Sequence, residues 1–453
     1  MSPEIVSILA LVLIFAIATV LPINMGALAF VAAFGVGTLS VGLTTDDIIA
    51  GFPGGLVLTL IGVTYLFAIA QNNGTVDLLV RAAVTLVRGR IALMPWVVFA
   101  VTAVLTGIGA LSPAAVAIIA PIALGFAGRY RINPLLMGMM VIHGAQGGGF
   151  SPISVYGVTV NGIVADNDLP SSPVTVFLGS LFFNLAIAAV LFVVLGGRSL
   201  VGRRVGDDVE ARERELAAAP GAGADVRGQG VRATPAGGGS DDEGGGTDGA
   251  DGSGRVTVEQ VLTLVGLVAL AVLALVFDLD IGFVSITIAT VLALFSAARH
   301  KGAVMQISWS TVLLIAGVLT FVFVLQEAGT IDYVGEGVTS LSIPLLVALL
   351  LAYIGGVVSA FASSTAIIGV AISLAVPFLL AGEIGAVGVG VALSVASTIV
   401  DVSPFSTNGA LVLANAQDVD RDRFYKQMLG YSGLVVVLGP LLAWLVFVVP
   451  GWL

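Results

Sequence analysis

Long apolar runs alternate along the chain with short polar segments. The runs at 5–21, 57–70, 174–195 and 261–277 are each close to the ~20 residues that a helix needs to span the hydrocarbon core of a bilayer. This pattern predicts an all-α, polytopic membrane protein. Glu4, rather than Lys or Arg, precedes the first run and a second run follows almost at once, so we expect a first span and not a removable signal peptide.

One polar stretch divides the apolar pattern into two parts. Residues 197–256 contain GGGSDDEGGGTDGADGSG and show no periodic apolar face. A segment of this composition lacks the apolar surface that folding requires, so it predicts a flexible linker. We therefore expect a first transmembrane repeat at 1–196, the linker at 197–256, and a second transmembrane repeat at 257–453.

The two parts share polar positions at a nearly constant spacing. Gln71, Thr75 and Asp77 recur 255 positions later, as Gln326, Thr330 and Asp332. Three serines recur at a spacing of 252: Ser112 as Ser364, Ser151 as Ser403, and Ser154 as Ser406. Apolar sequence of low complexity mimics one such match, but several in the same order indicate an internal repeat.

Each half predicts the same series of elements. Three spans come first, at about 4–21, 24–43 and 51–72, and again at about 258–276, 279–298 and 306–327. A re-entrant hairpin follows (91–128 and 343–381), then an interrupted span (134–162 and 385–415) and a final span (174–196 and 428–450). Five crossings is an odd number, so we expect two inverted repeats of five transmembrane helices plus one re-entrant hairpin each.

Composition and charge support a membrane location and predict an orientation. Apolar residues make up 58% of the chain and charged residues 10%, whereas a soluble domain carries roughly 25% charged residues. With the N-terminus outside, the Arg and Lys residues near the spans fall on the inner side, as the positive-inside rule requires. We therefore expect a multi-pass protein of the inner (plasma) membrane, with both termini outside and the linker in the cytoplasm.

Several function classes find no support in the residues. The chain has no cysteine, which excludes disulfides and thiolate metal sites. His143 and His300 are the only histidines, and no spacing typical of a catalytic triad, a metal site or a phosphate loop occurs. We expect no enzyme activity, no cofactor or metal centre, and no nucleic-acid partner.

Four breaks interrupt the apolar segments, in pairs related by the repeat. They lie at 107–113, 147–152, 359–365 and 401–404. Interrupted segments at matching positions of two halves are typical of a transporter binding site, although Gly and Pro also simply kink membrane helices. In three of the breaks Ser directly precedes Pro, which predicts a helix N-cap aimed at the membrane centre.

The solute is predicted to be an anion. All eighteen Lys and Arg residues lie in loops, the linker or an amphipathic segment, so helix N-termini must supply the positive potential. Hydroxyl groups at the breaks are the candidate substrate ligands: Ser112, Ser151, Ser154, Ser363, Ser364, Thr365, Ser403 and Ser406.

Two titratable residues lie inside predicted spans. Asp401 stands where the first half has Gly149, and an acid in a membrane is costly. It is either a coupling-cation or proton site or a structural cap. His143 is a possible proton site, with a hydrogen-bonded packing histidine as the alternative.

Segments 21–30, 63–71 and above all 141–154 resemble the malonate/dicarboxylate carrier family, within the ion-transporter superfamily that includes the divalent anion–sodium symporters. The resemblance implies uptake of malonate or a C4-dicarboxylate by an elevator-like movement within a homodimer, coupled to sodium ions or protons. In the symporters a Ser-Asn-Thr motif at each hairpin tip contacts the substrate carboxylates and frames sodium sites. Here the tips contain Ser112 and Ser364 without the asparagine, and Gly109 and Ala362 beside them are further candidates for the coupling-ion site.

The expected function is thus a cation-coupled secondary transporter for a small dicarboxylate, surrounded by membrane lipid. A cation/proton antiporter, or an exporter of another oxyanion, is the alternative on the same architecture. A membrane enzyme or scaffold is a third interpretation without supporting motifs.

Overall fold

The computed structural model describes residues 2–21, 23–86, 89–204, 256–277, 279–297, 300–330, 333, 344–360, 364–380, 384–416 and 420–451. Within these ranges the only strand pairing is an isolated antiparallel bridge between Arg90 and Arg204. The described residues of the first half form ten α-helices: α1 Pro3–Val20, α2 Met25–Val36, α3 Thr45–Ala50, α4 Gly54–Asn72, α5 Thr75–Leu86, α6 Met94–Gly107, α7 Ser112–Arg129, α8 Pro134–Gly148, α9 Val155–Asp166 and α10 Pro173–Val194.

The described part of the second half repeats this order without a counterpart of α3 or α5. Its helices are α11 Val258–Leu275, α12 Ile281–Phe295, α13 Trp309–Glu327, α14 Pro344–Ser359, α15 Ser364–Leu380, α16 Ala386–Ile399, α17 Thr407–Ala414 and α18 Arg421–Phe447. The predicted all-helical fold is therefore confirmed.

Five of the described helices are long and apolar enough to cross a membrane: α4, α7, α10, α13 and α18. Shorter apolar helices accompany them, among them α2, α12, α14 and α16. Exposed apolar side chains cover the outer faces of α10 and α18, with Val194 71% and Val437 58% exposed. Such surfaces are stable against lipid and not against water, so the chain is a multi-pass membrane protein.

The helix ends follow local chemistry more closely than the limits of the apolar runs. The last helix was predicted to start at about 428, but α18 begins at Arg421, where the Asp420 carboxylate accepts a hydrogen bond from Arg423 N at 3.1 Å. A capped helix tolerates a polar first turn, so apolar periodicity placed this start too late. Similarly, α2 ends at Val36 and a π-helical turn, Gly37–Val41, completes the predicted second span.

The start of the predicted linker is folded. Gly197–Leu200 form a 3₁₀ turn, and the guanidinium of Arg203 donates to the carbonyl oxygen of Tyr130 at 2.8 Å. Ile91 N also donates to Arg203 O at 3.3 Å. Residues 205–255 of the linker lie outside the described residues.

The second predicted span of each half packs against the third predicted span of the other half at small residues, as α2 against α13 and α12 against α4. A methyl group on Gly26 of α2 would overlap the carbonyl oxygen of Leu313 on α13, and one on Gly317 would overlap the carbonyl oxygen of Gly26. In the related pair, a methyl group on Gly282 of α12 would come within 2.8 Å of the Thr59 amide nitrogen on α4. Small residues of this kind let membrane helices approach closely enough for backbone contact.

Polar contacts of the first helices follow the same exchange. The hydroxyl groups of Ser7 on α1 and Thr330 in the second half are 2.6 Å apart. The Asn73 amide at the end of α4 donates to Thr263 Oγ1 on α11, also at 2.6 Å. The first three predicted spans of the two halves therefore contact each other. The remaining helices of both halves pack beside them around one apolar core.

Gly26→Ala should destabilise the protein, because the added methyl group forces α2 and α13 apart. Overpacking of this kind typically costs about 1–3 kcal/mol, so we expect a lower melting temperature for the purified full-length protein in detergent.

Gly35→Ala, on the same helix, is the matched control. No described atom lies within 4 Å of a methyl group placed there, and alanine relieves the helix penalty of glycine, about 0.5–1 kcal/mol. Equal melting temperatures for the two variants would contradict the close approach of α2 and α13.

Candidate functional site

Two interrupted helices, α8–α9 and α16–α17, have the same local geometry at their breaks. Ser154 Oγ lies 2.7 Å from Ser151 O and accepts a hydrogen bond from Gly157 N at 3.3 Å. Ser406 Oγ lies 2.7 Å from Ser403 O and accepts from Gly409 N, again at 3.3 Å. Each serine also donates to the carbonyl oxygen five residues earlier, in Gly149 and Asp401 respectively. The two serines therefore cap α9 and α17 and hold each turn closed.

The prediction that Ser-Pro pairs form the N-caps was wrong at all three positions. Ser151-Pro152 and Ser403-Pro404 lie within the turns, ahead of the capping serines Ser154 and Ser406. At the first hairpin, α7 starts at Ser112 itself, and its cap residue Leu111 provides no side-chain hydrogen bond. The serine hydroxyl at that tip is consequently available to another element.

A buried asparagine forms a hydrogen bond with the Ser112 hydroxyl group. Asn408 Nδ2 on α17 donates to Ser112 Oγ at 2.8 Å and to Asp401 Oδ2 at 3.0 Å. Asn408 has no exposed surface, and Ser112 and Asp401 are 2% and 3% exposed. One amide group thus ties the hairpin of the first half to the acid at the break of the second half.

The second hairpin reaches the same acid from its own tip. Ser364, the first residue of α15, lies beside the Asp401 side chain and is 2% exposed. Its Oγ is 2.9 Å from Ser359 Oγ, so a hydrogen bond joins the start of α15 to the end of α14. The tips of both hairpins and one broken helix therefore meet at Asp401.

Acceptor oxygen atoms at this junction remain open. Oδ1 of Asp401 and Oδ1 of Asn408 are buried and have no hydrogen-bond partner among the described residues. Unpaired buried acceptors are costly unless a cation, a proton or a water molecule satisfies them. The arrangement suits a small cation or a proton with oxygen ligands.

The other described site residues that the sequence predicts make contacts of their own. Ser151 faces the end of α6, where a methyl group on Gly107 would lie 3.9 Å from the Ser151 Cβ. Ser403 Oγ accepts a hydrogen bond from Phe405 N at 3.2 Å. Gly109 forms the turn of the first hairpin with a φ of +115°, against Val63 of α4. Within the described residues, the hydrogen bonds of Ser154 go to the backbone of its own turn and not to Asp401.

The breaks of the two halves are bridged at positions related by the repeat. Gln146 Nε2 on α8 donates to the carbonyl oxygen of Thr398 on α16 at 2.7 Å, and these residues are 252 positions apart. Gln146 also accepts, through its backbone oxygen, a hydrogen bond of 3.1 Å from Ser180 on α10. These bonds hold α8, α10 and α16 together behind the junction.

His143 belongs to a separate hydrogen-bonded group. Its Nδ1 lies 2.9 Å from Asn184 Oδ1, and its Nε2 lies 2.6 Å from Tyr431 Oη. The amide oxygen of Asn184 only accepts, so Nδ1 carries the proton and Nε2 accepts from the tyrosine hydroxyl. A neutral imidazole satisfies both partners, which favours the packing histidine over the proton site.

Two predicted residues, Ala362 and Ser363, lie outside the described residues, as does the side chain of Thr365. In contrast, Asn408 was missed as a candidate. The available signal was that it replaces Tyr156 of the repeat, just as Asp401 replaces Gly149. Polar residues that break the symmetry of a repeat in one half deserve a place among the candidates.

Asn408→Ala should lower the melting temperature, since it leaves Asp401 Oδ2 without its asparagine donor. An unpaired buried acceptor costs about 1–3 kcal/mol, and Asn415→Ala is the control because its amide donates only within the helix end, to Leu411 O at 2.8 Å. In a Ser112→Ala background the effect of Asn408→Ala should shrink. Strictly additive losses would contradict the bond between the two side chains.

Comparison with known proteins agrees with the resemblance of the first half. Residues 1–149 match the family model described as the dicarboxylate carrier protein MatC N-terminus. The fold is similar to the crystal structure of the YdaH transporter from Alcanivorax borkumensis, with a TM-score of 0.57, 14% sequence identity and coverage of 98% of each chain. A search of curated proteins gave no match. The resemblance to the dicarboxylate carriers is thus confirmed over residues 1–149, in a chain that shares the fold of a membrane transporter along nearly its whole length.

Proposed function

We propose that the protein is a secondary active transporter for a small dicarboxylate, such as malonate or a C4-dicarboxylate, driven by a coupling cation. The observation that carries this proposal is the buried junction at which Asn408 bonds to Ser112 and Asp401, with Ser364 beside the acid. Such a junction of two hairpin tips and a broken helix is where interrupted helices offer their ends to a solute. The match of residues 1–149 to dicarboxylate carriers supports the choice of substrate class.

The electrostatics of the junction favour an anionic solute. Helices α7 and α15 begin at Ser112 and Ser364, and α9 and α17 begin just after the capping serines. Each helix N-terminus carries the equivalent of about half a positive charge together with unpaired N–H groups. Carboxylate oxygens bind such ends without a Lys or Arg, and the sequence has neither in the first turns of these four helices.

The eight candidate substrate ligands divide into two roles. Ser112 and Ser364 face the junction and are proposed to contact the carboxylates, with Ser151, Ser363, Thr365 and Ser403 as further candidates. Ser154 and Ser406 already bond to the backbone of their turns. We assign these two to positioning the N-termini of α9 and α17.

The coupling ion is proposed to bind at Asp401. Its open Oδ1 and the open Oδ1 of Asn408 provide two acceptors. The backbone carbonyl groups of Gly109 and Ala362 are proposed as further ligands of the coupling ion. Moving one charge through 100 mV costs roughly 2.3 kcal/mol, so a dianion entering a negative interior needs at least two cations to cancel the penalty. Sodium ions and protons both satisfy this requirement.

The proposed architecture follows the repeat. The two inverted halves would each have five crossings and one re-entrant hairpin. Their first spans would pack against those of the other half, as α2 packs against α13 and α12 packs against α4. The interlocked first helices would form the fixed scaffold of a homodimer, and the hairpins with the broken helices would move as an elevator. The distribution of Arg and Lys supports the plasma membrane, with both termini outside and the linker in the cytoplasm.

A cation/proton antiporter, or an exporter of another oxyanion, is the second candidate. The observation that favours it is a buried carboxylate that accepts a hydrogen bond from an amide and has a second oxygen atom without a partner among the described residues. A carboxylate of this kind exchanges cations in antiporters without any organic substrate.

Purified protein in proteoliposomes should accumulate radiolabelled malonate or succinate when an inward sodium or proton gradient is imposed. Asp401→Asn should abolish gradient-driven accumulation, because it removes the charge that binds the cation, while the exposed Asp46→Asn serves as the control. Cation exchange without carboxylate uptake by the folded wild type would decide for the antiporter.

Ser112→Ala and Ser364→Ala should each raise the apparent KM for substrate by about three- to tenfold, the loss expected for one hydrogen bond. Ser373→Ala is matched to Ser364→Ala, because it lies on the same helix and its buried hydroxyl has no partner among the described residues. Uptake kinetics measure the difference. If both tip variants keep the wild-type KM, the hairpin tips do not bind the substrate.

A further inference from the structure

A long apolar groove runs between α10 and α18, the last helices of the two halves. Its volume is ≈ 950 Å³, and its walls carry Phe182, Val190 and Val194 from one helix and Leu434, Leu438 and Leu442 from the other. The lining extends from Thr175 to Leu195 along α10, which at 1.5 Å per residue is about 30 Å, the thickness of the hydrocarbon core. Its walls are strongly exposed, with Phe182 and Val190 each at 60%.

A polar pocket adjoins one end of this groove. The pocket has a volume of ≈ 580 Å³ and shares Leu195 with the groove. Arg131 and Arg423 line it, together with the polar side chains of Asn133, Ser199 and Gln427. Both arginines are exposed, and both belong to the side that the charge distribution predicts to be cytoplasmic.

We propose that an anionic phospholipid binds here, with its acyl chains in the groove between α10 and α18 and its phosphate at Arg131 and Arg423. The guanidinium group binds phosphate through two parallel N–H donors. Basic pockets between transmembrane helices on the cytoplasmic side bind anionic lipid headgroups.

The charges of the pocket are compatible with an anion. Among the described residues of the lining Asp420 is the only acid, so with the two arginines these residues carry a net positive charge. The Asp420 carboxylate accepts from Arg423 N as the cap of α18, which occupies one of its oxygen atoms with a backbone donor. The acid therefore holds the helix start in place, and the arginines determine the sign of the potential.

Other occupants fit less well. The transported solute is a small, highly polar ion, whereas the groove is apolar and has a volume at the upper end of the ~300–1,000 Å³ typical of drug-sized ligands. A second copy of the chain, related by a two-fold axis along the membrane normal, would bring its own Arg131 and Arg423 to the same end of the interface. The arginines of the two copies would then repel each other. The phosphate of a bound lipid instead places a negative charge beside the arginines.

Native mass spectrometry of the full-length protein tests the proposal, with phosphatidylglycerol and phosphatidylcholine of identical acyl chains as probes. Wild type should retain phosphatidylglycerol in preference. Arg423→Gln and Arg131→Asn should each reduce that preference about fivefold. Asparagine is chosen at 131 because Arg131 has a φ of +50°, a left-handed conformation that asparagine adopts readily.

Two matched controls separate the site from general effects of charge and shape. Arg421→Gln removes the same charge from the same helix, but Arg421 does not line the pocket, so the preference should persist. Leu438→Trp fills the groove and should reduce retention of both lipids, whereas Val437→Trp changes an exposed neighbour outside the lining and should not. Melting temperatures of all variants check that they remain folded.

Three outcomes would overturn the proposal. The first is equal retention of the two lipids by wild type, and the second is an unchanged preference in folded Arg131→Asn and Arg423→Gln. The third is a Leu438→Trp variant that keeps its lipid but shifts from dimer to monomer, which would identify the groove as a contact between copies of the chain.

Discussion

A helix that stops inside a membrane exposes backbone N–H and C=O groups where no bulk water can bind them, and this constraint shapes the whole protein. Ser154 and Ser406 meet it in the same way, because each accepts a hydrogen bond from the backbone amide three residues further on and lies within hydrogen-bond distance of carbonyl oxygens of the turn. Because the serines satisfy these groups locally, the breaks persist as rigid turns. The N-termini of α9 and α17 are thereby held at fixed positions in the interior.

Close helix packing provides the surroundings that the breaks require. Lipid offers no hydrophobic reason for two apolar helices to associate, so tight contact depends on small residues. Gly144 and Gly148 bring α8 against α6 so closely that a methyl group on either would meet a backbone oxygen, of Phe99 and Ala103 respectively. The same principle joins α2 to α13. A packed interior of this kind excludes lipid from the turns, which would otherwise be unstable.

The junction at Asp401 depends on both conditions. Its carboxylate lies in the turn before α17, and the amide of Asn408 connects it to Ser112 at the tip of the first hairpin. A buried acid with one amide partner and one open oxygen is a position where a bound cation, or a proton, changes the balance of charge. Binding there would alter the hydrogen bond from Asn408 to Asp401 and the position of Ser364 beside the acid, which gives the proposed coupling between cation and solute a physical basis. The apolar groove between α10 and α18 is separate from this junction, because its lining contains none of the junction residues and consists of exposed apolar side chains.

The amino-acid sequence by itself determined the all-helical class of fold and the approximate positions of most described helices, including the breaks between α8 and α9 and between α16 and α17, since hydrophobic runs, Gly and Pro act locally. It also singled out Ser112, Ser364 and Asp401 through the repeat. It misassigned the Ser-Pro pairs as caps, because capping depends on backbone angles within a turn of several residues. Only the tertiary structure decided that Asn408 joins Ser112 to Asp401, residues 296 and 7 positions away. Such a bond arises from the packing of α7 against α17, and spacing along the chain carries no record of which helices of the two halves become neighbours.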